Sequence, residues 1–292
     1  MTQLPNINNE FKTCLICNNS HLVDLRGYEK DKLTRCKHCG FVFARQNPTP
    51  EELMATYNDY PRSNIISEIT LKRYYELLGG FDKYRQTNNL IDVGAGDGHF
   101  VGIAKKLGWK TYATEFESRS VALCREKGAI THEGKLDAQN YQRGMFDVIF
   151  SAEVIEHINN PVEEVQNFHK ILRKGGLVYI TTPNFNSISR LYLKNKWNVI
   201  HYPEHLCYYT PKTLEKLFTD NGFKKVEITT TGFSPARFFY AINPVRSTST
   251  IDESFRQSSE TKPLLRFAKW GINTVLDFSK SGDALKGQFV KV

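Results

Sequence analysis

Four runs of residues in this chain have the types and spacing to do chemistry. The first runs Leu90, Ile91, Asp92, Val93, Gly94, Ala95, Gly96, Asp97, Gly98, His99, Phe100. An apolar stretch carrying one Asp reads as a buried strand. Helical spacing of Phe100, Val101, Ile103, Ala104 and Leu107 begins after the last glycine. Glycine tolerates positive φ and has no Cβ, so the backbone can turn sharply and a ligand can lie against it. The dinucleotide fingerprint is G-x-G-x-x-G, with a pyrophosphate at the helix N-terminus. Here the spacing is G-x-G-x-G, and Asp92 precedes it. A carboxylate at that place repels a pyrophosphate but accepts hydrogen bonds from a cationic amine. Alone, such a turn is equally an ordinary link between a core strand and a helix.

The second run is Cys14-x-x-Cys17 and Cys36-x-x-Cys39, the two pairs separated by 18 residues. Each pair can put two thiolates on one metal ion, and the second pair completes a tetrahedron. This is zinc-ribbon spacing, and four thiolates leave no open position for catalysis, so the expected role is structural. Strands are expected at residues 22–25 and 41–44, and the metal is the staple that so small a module needs. His38 lies between two ligands and reads as a bystander.

The remaining two runs are Glu153-x-x-Glu156-His157 and Tyr202-x-Glu204-His205. On one helical turn, Glu153, Glu156 and His157 share a face. A neutral histidine such as His205 or His157 suits general-base work near neutral pH.

The chain has 292 residues, 40% hydrophobic and 24% charged, and a formal net charge of +8. That is enough for one large or two modest domains. No apolar run reaches the length of a membrane span. The first residues lack a basic region followed by an apolar core, so no signal peptide is expected, and the cytoplasm is the expected compartment. The positive charge admits an acidic partner, such as nucleic acid or a nucleotide-linked substrate, but the cations are scattered. Without a secretion signal, disulfides are a poor account of the six cysteines.

Alternating strand and helix patterns from residue 90 to 183 predict a parallel sheet with helices on both faces. Strands are expected at residues 90–93, 111–114, near 129–132, 146–151, 177–182 and 226–231, with a last one at 288–292. Helices are expected at residues 51–57 capped by Thr49, 65–81, 100–107, 118–127, 161–172 (ended by Gly175-Gly176), 211–221 and 264–278. Ile65, Ile69, Leu71, Tyr74, Tyr75, Leu77 and Leu78 form the apolar stripe of the second of these. The unit boundaries are a ribbon at 1–47, a linker with N-terminal helices at 48–88, a core at 89–232, a helical insertion at 233–282 and a final core strand at 283–292. Residues 184–210 read as a polar, aromatic loop interrupting the core. Glu115 falls about twenty residues after the glycine turn, where nucleoside-binding α/β folds put a carboxylate on the ribose hydroxyls.

The Asp92-to-Gly98 run resembles motif I of class I S-adenosylmethionine-dependent methyltransferases. Residues 146–183 resemble the matching part of ubiquinone-biosynthesis and sugar-modifying members. The resemblance implies a Rossmann-like α/β sheet of seven strands, the last antiparallel, here with an N-terminal zinc ribbon. It implies S-adenosylmethionine as cofactor, held by Asp92, Gly94, Ala95, Gly96, Gly98, Glu115, Phe116, Ser151 and Glu153. Either Leu136 packs on the adenine or Asp137 reaches it. The Tyr202-x-Glu204-His205 run resembles the catalytic run of sugar-nucleotide C-methyltransferases. Carried over, it makes His205 the base, Glu204 its orienting partner and Tyr202 a sugar contact. No counterpart of the large third domain of those enzymes is expected in this sequence, which tells against C-methylation and a keto-sugar substrate. The Glu153-x-x-Glu156-His157 run resembles that of ubiquinone-pathway O-methyltransferases and implies a divalent ion there. The reading adopted is the simpler one, that Glu156 and His157 satisfy backbone groups beside the cofactor.

The expected function is methyl transfer to a small molecule, a sugar or sugar nucleotide, with O- preferred to C-methylation. The alternatives are an RNA methyltransferase that uses the ribbon for recognition, and a non-enzymatic ribbon scaffold with a decayed cofactor site.

Overall fold

The computed structural model describes residues 10–49, 51–52, 66–233 and 263–292. The expected helix beyond residue 52, the segment 53–65 and the insertion 234–262 lie outside them. Thr49 caps as expected. Its hydroxyl accepts the Glu52 N–H (3.2 Å), and the Glu52 carboxylate accepts the Thr49 N–H (2.8 Å).

The N-terminal unit has three short strands, β1 (Leu22–Asp24), β2 (Leu33–Cys36) and β3 (Val42–Ala44). Helix α1 (Glu68–Phe81) follows, with Ser67 as N-cap. The core then runs β4 (Asn89–Val93), α2 (His99–Lys106), β5 (Lys110–Glu115), α3 (Ser118–Glu126), β6 (Ile130–Glu133), β7 (Phe146–Ala152), α4 (Pro161–Ile171) and β8 (Leu172–Pro183). After it come α5 (Ile188–Leu193), β9 (Cys207–Tyr208), α6 (Pro211–Thr219), β10 (Phe223–Thr231), α7 (Pro263–Phe278) and β11 (Ala284–Lys291).

Seven strands form one sheet in the order β10-β11-β8-β7-β4-β5-β6. β4 pairs in parallel with β5 and β7, and β11 runs antiparallel to both β8 and β10. This is the expected sheet with its antiparallel last strand. Leu90, Ile91 and Val93 are buried because both faces of a parallel sheet are covered. On one face Phe100, Phe150 and Tyr179 stack in a column (3.8 and 5.5 Å between centroids), and Tyr74 of α1 meets Phe100 edge-on at 5.2 Å. That column seats α1 beside β4.

Four sequence expectations are corrected. The ribbon has a strand at β2 that its weak alternation concealed, and β3 pairs with β9, so residues 184–210 are not a mere interruption. Both faces of β3 and most of β2 are buried against the rest of the chain, while β1 is largely exposed. Phe41 and Phe43 join the core beside Tyr209 and Leu214, while Leu33, Val42 and Ala44 pack on Phe185, Trp197 and Leu206. Helix α4 ends at Ile171 without Gly175-Gly176, which fall inside β8. Gly176 is needed there because a Cβ would lie 2.9 Å from the Asp147 carbonyl oxygen. Tyr75 is exposed although its spacing placed it in the apolar stripe. In α7, Leu276 packs inward, but Trp270, Val275 and Phe278 stay exposed. Among the described residues no helix is long and apolar enough to cross a membrane.

Opposite the ligand end of the sheet, the fully buried Asp147 carboxylate accepts Gln86 N–H (2.9 Å), Asn88 N–H (2.7 Å) and Arg173 Nε (2.5 Å). Burial opposes its charge, but Arg173 and the backbone donors hold it below the usual carboxylate range. Its stabilisation is therefore present above the unfolded value of about 3.9 and is lost as pH falls through the lower folded value. Asp147→Ala leaves Arg173 and two N–H groups without their acceptor. It should cost about 3–5 kcal/mol in denaturant unfolding; a loss below about 1 kcal/mol would mean that the pair is not a structural lock.

Candidate functional site

The glycine turn carries three positive-φ glycines: Gly94 (73°), Gly96 (51°) and Gly98 (70°). They do different things. A Cβ on Gly94 would stand 2.5 Å from Val154 Cγ2, and one on Gly98 2.8 Å from Cys124 Sγ. Those two are small so that the protein can pack on itself. A Cβ on Gly96 would meet nothing within 4 Å. Gly96 is the glycine that faces open space, where a ligand can approach. Cys124 packs under the turn and donates to Gly96 O (3.3 Å).

The turn is tied to β5. Thr114 O accepts both Gly94 N–H (2.9 Å) and Ala95 N–H (3.1 Å). Glu115 then closes the cradle. Its Oε2 accepts Gly96 N–H (2.8 Å), and its Oε1 accepts Phe116 N–H (2.8 Å) and Glu117 N–H (3.1 Å). Phe116 is largely exposed at the rim. Asp92 lies buried behind the turn, and burial, with the Glu115 charge added, raises its carboxyl well above the usual range. A buried carboxyl beside a second carboxylate is poised for a cation: a positive group would offset both penalties. Ser151 is buried in β7, level with Val93 of β4. Leu136 is buried in the core, and Asp137 instead caps a short turn by accepting Gln139 N–H (2.9 Å).

Val154 links this cradle to a second cluster, because the chain after it forms the 3-10 turn Ile155–His157. Glu153, Glu156 and His157 therefore do not share one α-helical face. Glu153 sits at φ 55° and accepts from Thr181 Oγ1 (2.8 Å). The three side chains that gather are Glu156, His157 and His205, with one ligand atom of each within 4.8 Å of the others. The trio that the resemblance implied is corrected to that extent: His205, and not Glu153, stands with Glu156 and His157. Glu156 is buried and accepts from Thr182 Oγ1 (3.0 Å); burial first, and then the Glu153 charge, raise its carboxyl well above the usual range.

The two rings meet edge-to-face at 4.7 Å. His157 Nδ1 lies 2.8 Å from Glu204 O, and His205 Nδ1 lies 2.8 Å from Val199 O. A carbonyl only accepts, so each Nδ1 carries the hydrogen and each Nε2 keeps its lone pair. Burial, and then the neighbouring His157, bring His205 down to about 4, and burial lowers His157 as well. Both rings are neutral at pH 7. The other two expected partners point elsewhere. Glu204 Oε2 pairs with His201 Nδ1 (2.8 Å), and Tyr202 donates to Glu52 Oε2 (3.2 Å) under Lys32. Within the run 202–205, only His205 enters the cluster; Glu204 contributes its backbone carbonyl.

At the ribbon, Cys14 and Cys39 sulfurs are 3.5 Å apart, and Cys17 and Cys36 sulfurs 3.6 Å. Zn–S bonds of about 2.3 Å in a tetrahedron put sulfurs about 3.8 Å apart. A disulfide would need about 2.05 Å. The four thiols thus fit a structural zinc, and exposed His38 stands outside the group.

A family model described as a methyltransferase domain matches residues 67–228, more than half of the chain. Sequence relatives include ubiquinone biosynthesis O-methyltransferases. One from Shewanella halifaxensis is 27% identical over 148 residues, 47% of this chain and 61% of that protein. One from Caulobacter vibrioides is 28% identical over 107 residues, 32% of this chain and 40% of that protein. The chain thus spans about half the length of these relatives. A SAM-dependent methyltransferase from Archaeoglobus fulgidus superposes with a TM-score of 0.53 at 16% identity, covering 77% of this chain and 94% of that one. The [4+2]-cyclase SpnF superposes at 0.50 and 15% identity, over 79% and 84%. Likeness at this level shows the fold.

Two outcomes test the site as built. Gly96→Ala should cost only about 1–2 kcal/mol of stability, the strain of a left-handed residue, while weakening the ligand. Gly94→Ala should cost clearly more, because Val154 must move; equal losses would mean that Gly96 is not the open position. Metal analysis of denatured protein should give one zinc per chain. None would refute the thiolate site, and two would put a second metal on the histidine cluster.

Proposed function

This chain belongs to the methyltransferase-domain family, and from that premise we propose that it transfers a methyl group from S-adenosylmethionine to a hydroxyl of a small molecule, a sugar or sugar nucleotide. The observation that carries this reading is the link through Val154. It joins an open, carboxylate-backed glycine cradle to a neutral histidine pair at the same end of the sheet.

S-adenosylmethionine, when bound, supplies an electrophilic methyl on a cationic sulfur. Gly96 and Glu115 would hold its nucleoside and amino-acid portions, with Asp92 behind them as the counter-charge. His205 would accept the acceptor hydroxyl's proton at Nε2, with Nδ1 anchored on Val199. His157 would buffer that proton from its neighbouring Nε2. The burial that lowers both rings also keeps water from competing for the methyl. The relatives named above are O-methyltransferases, and this supports O- over C-methylation.

Incubation with methyl-labelled S-adenosylmethionine and a panel of sugar nucleotides, phenols and RNA tests the acceptor. Label should enter a sugar nucleotide and be released as methyl iodide by hydriodic acid, as an O-methyl group is. Label entering RNA alone would overturn the reading, and label resistant to the acid would reverse the O- over C- assignment. His205→Ala should leave cofactor affinity within about twofold and lower kcat by about 100-fold or more; an unchanged kcat would remove His205 as the base.

Two pH dependences follow. With saturating cofactor, kcat should stay level below neutral pH and fall only as the His205 ring protonates near pH 4; an acid limb centred near 6.5 would contradict this. Asp92 has a raised value in the free protein, so a cation that binds its ionised form expels a proton. Cofactor affinity should then rise with pH and level off once free Asp92 is ionised. Calorimetry in buffers of different ionisation enthalpy reads the released proton; none released would contradict it.

A further inference from the structure

The ribbon does not end at its own edge. β3 pairs with β9, with Phe43 opposite Cys207 and Val42 opposite Tyr208. One residue earlier, Leu206 O accepts Ala44 N–H (2.7 Å), and Leu206 N–H donates to Glu156 O (2.7 Å). A single residue is thus bonded to the ribbon on one side and to the turn bearing Glu156 and His157 on the other. Leu206 directly follows His205. Two further bonds brace the same turn: Cys207 Sγ donates to Ile158 O (3.2 Å) and Tyr209 OH to Ile155 O (3.5 Å).

The thiols are joined to this brace by a short path. Cys36 N–H bonds Phe41 O, and Gly40 N–H bonds Cys36 O (both 2.9 Å), so the second cysteine pair sets where β3 begins. Phe41 meets Tyr209 at 5.1 Å, and Cys14, Cys36 and Cys39 lie in one apolar cluster with Tyr209, Leu214 and Leu217. The cofactor cradle draws its hydrogen bonds from β5, and it meets this path through apolar packing, Val154 on Gly94.

We propose that the four-cysteine centre is a positioning site for the acceptor half of the active site: with its metal bound, it fixes β3, and β3, through Ala44 and Leu206, fixes the His205–His157 pair, while the hydrogen bonds of the cofactor cradle are left as they are. The ribbon is then a remote part of the catalytic geometry rather than a recognition module. The catalytic consequence rests on reading His205 and His157 as the acceptor-side groups; the mechanical coupling does not.

The test is to strip the metal from the purified full-length protein with a mercurial and a chelator, and to follow amide hydrogen exchange by peptide. Exchange should quicken at least about tenfold in residues 40–46, 155–158 and 199–209, and stay unchanged in residues 90–117. Cofactor Kd should move less than about twofold while kcat falls at least about tenfold. A second variant, Ala44→Pro, removes the N–H that Leu206 O accepts and leaves all four thiols. It should quicken exchange in 199–209 with one metal still bound. Faster exchange confined to the ribbon would overturn the proposal, as an independent module would behave so. Faster exchange throughout, 90–117 included, would also overturn it, as the metal would then serve global stability. Protein purified without metal, or an Ala44→Pro pattern unlike that of metal removal, would overturn it too. If no methyl transfer is found even with metal bound, the functional reading fails, while the exchange pattern still decides the coupling.

Discussion

The peptide between His205 and Leu206 and the one after it hold the candidate site together. Leu206 donates to Glu156 O and accepts from Ala44 N–H, each at 2.7 Å. Both bonds are backbone to backbone, so they set position and not merely proximity. On one side the 3-10 turn carries Val154 against Gly94, and with it the floor of the cradle. On the other side lie β3 and the thiol cluster. Remove this tie and the glycine turn would keep its strand–turn–helix geometry, but the histidines would lose their fixed relation to it. A ribbon of this size cannot cover both faces of its own sheet, and burying those of β3 and most of β2 against the core and the 184–208 segment supplies the covering that a free module lacks.

Electrostatics divide the site into two halves. On the cradle side, Asp92 and Glu115 put acidic groups together at the carboxyl ends of β4 and β5, and burial leaves Asp92 at a cost that only a cation offsets. Beside it, two imidazoles are held neutral, each with its Nδ1 tied to a backbone carbonyl. The fold carries this arrangement away from its main structural lock. The Asp147–Arg173 pair sits at the opposite end of the sheet, where charges are fully partnered. Left-handed backbone and buried carboxyl groups at one end are matched by a fully partnered ion pair at the other.

What the sequence disclosed, it disclosed locally. Asp92, the three glycines and Glu115 were legible because a strand end, a turn and the next strand end lie within about 25 residues, and their chemistry is fixed by backbone geometry. The two CxxC pairs were legible for the same reason. The β3–β9 pairing was not, since it involves two residues of β9 and partners 164 and 166 positions away, with no periodicity to announce it. The same blindness explains the histidine cluster. Spacing grouped Glu153 with Glu156 and His157 on an assumed helical turn. The actual chain enters a 3-10 turn through a left-handed Glu153, and His205 arrives from another loop. Spacing likewise put Tyr75 inside and three α7 residues on a packed stripe. Tertiary neighbours decide such questions, and a single helical pattern does not contain them.

The most direct test of the whole account is a crystal structure of the full-length protein with S-adenosylhomocysteine. The account predicts the ligand's ribose hydroxyls on Glu115, its amino-acid portion over Gly96 with Asp92 behind, and its sulfur turned toward the side of the cleft that holds His205 and His157. A ligand bound elsewhere, or one whose sulfur faces away from the histidine pair, would contradict it.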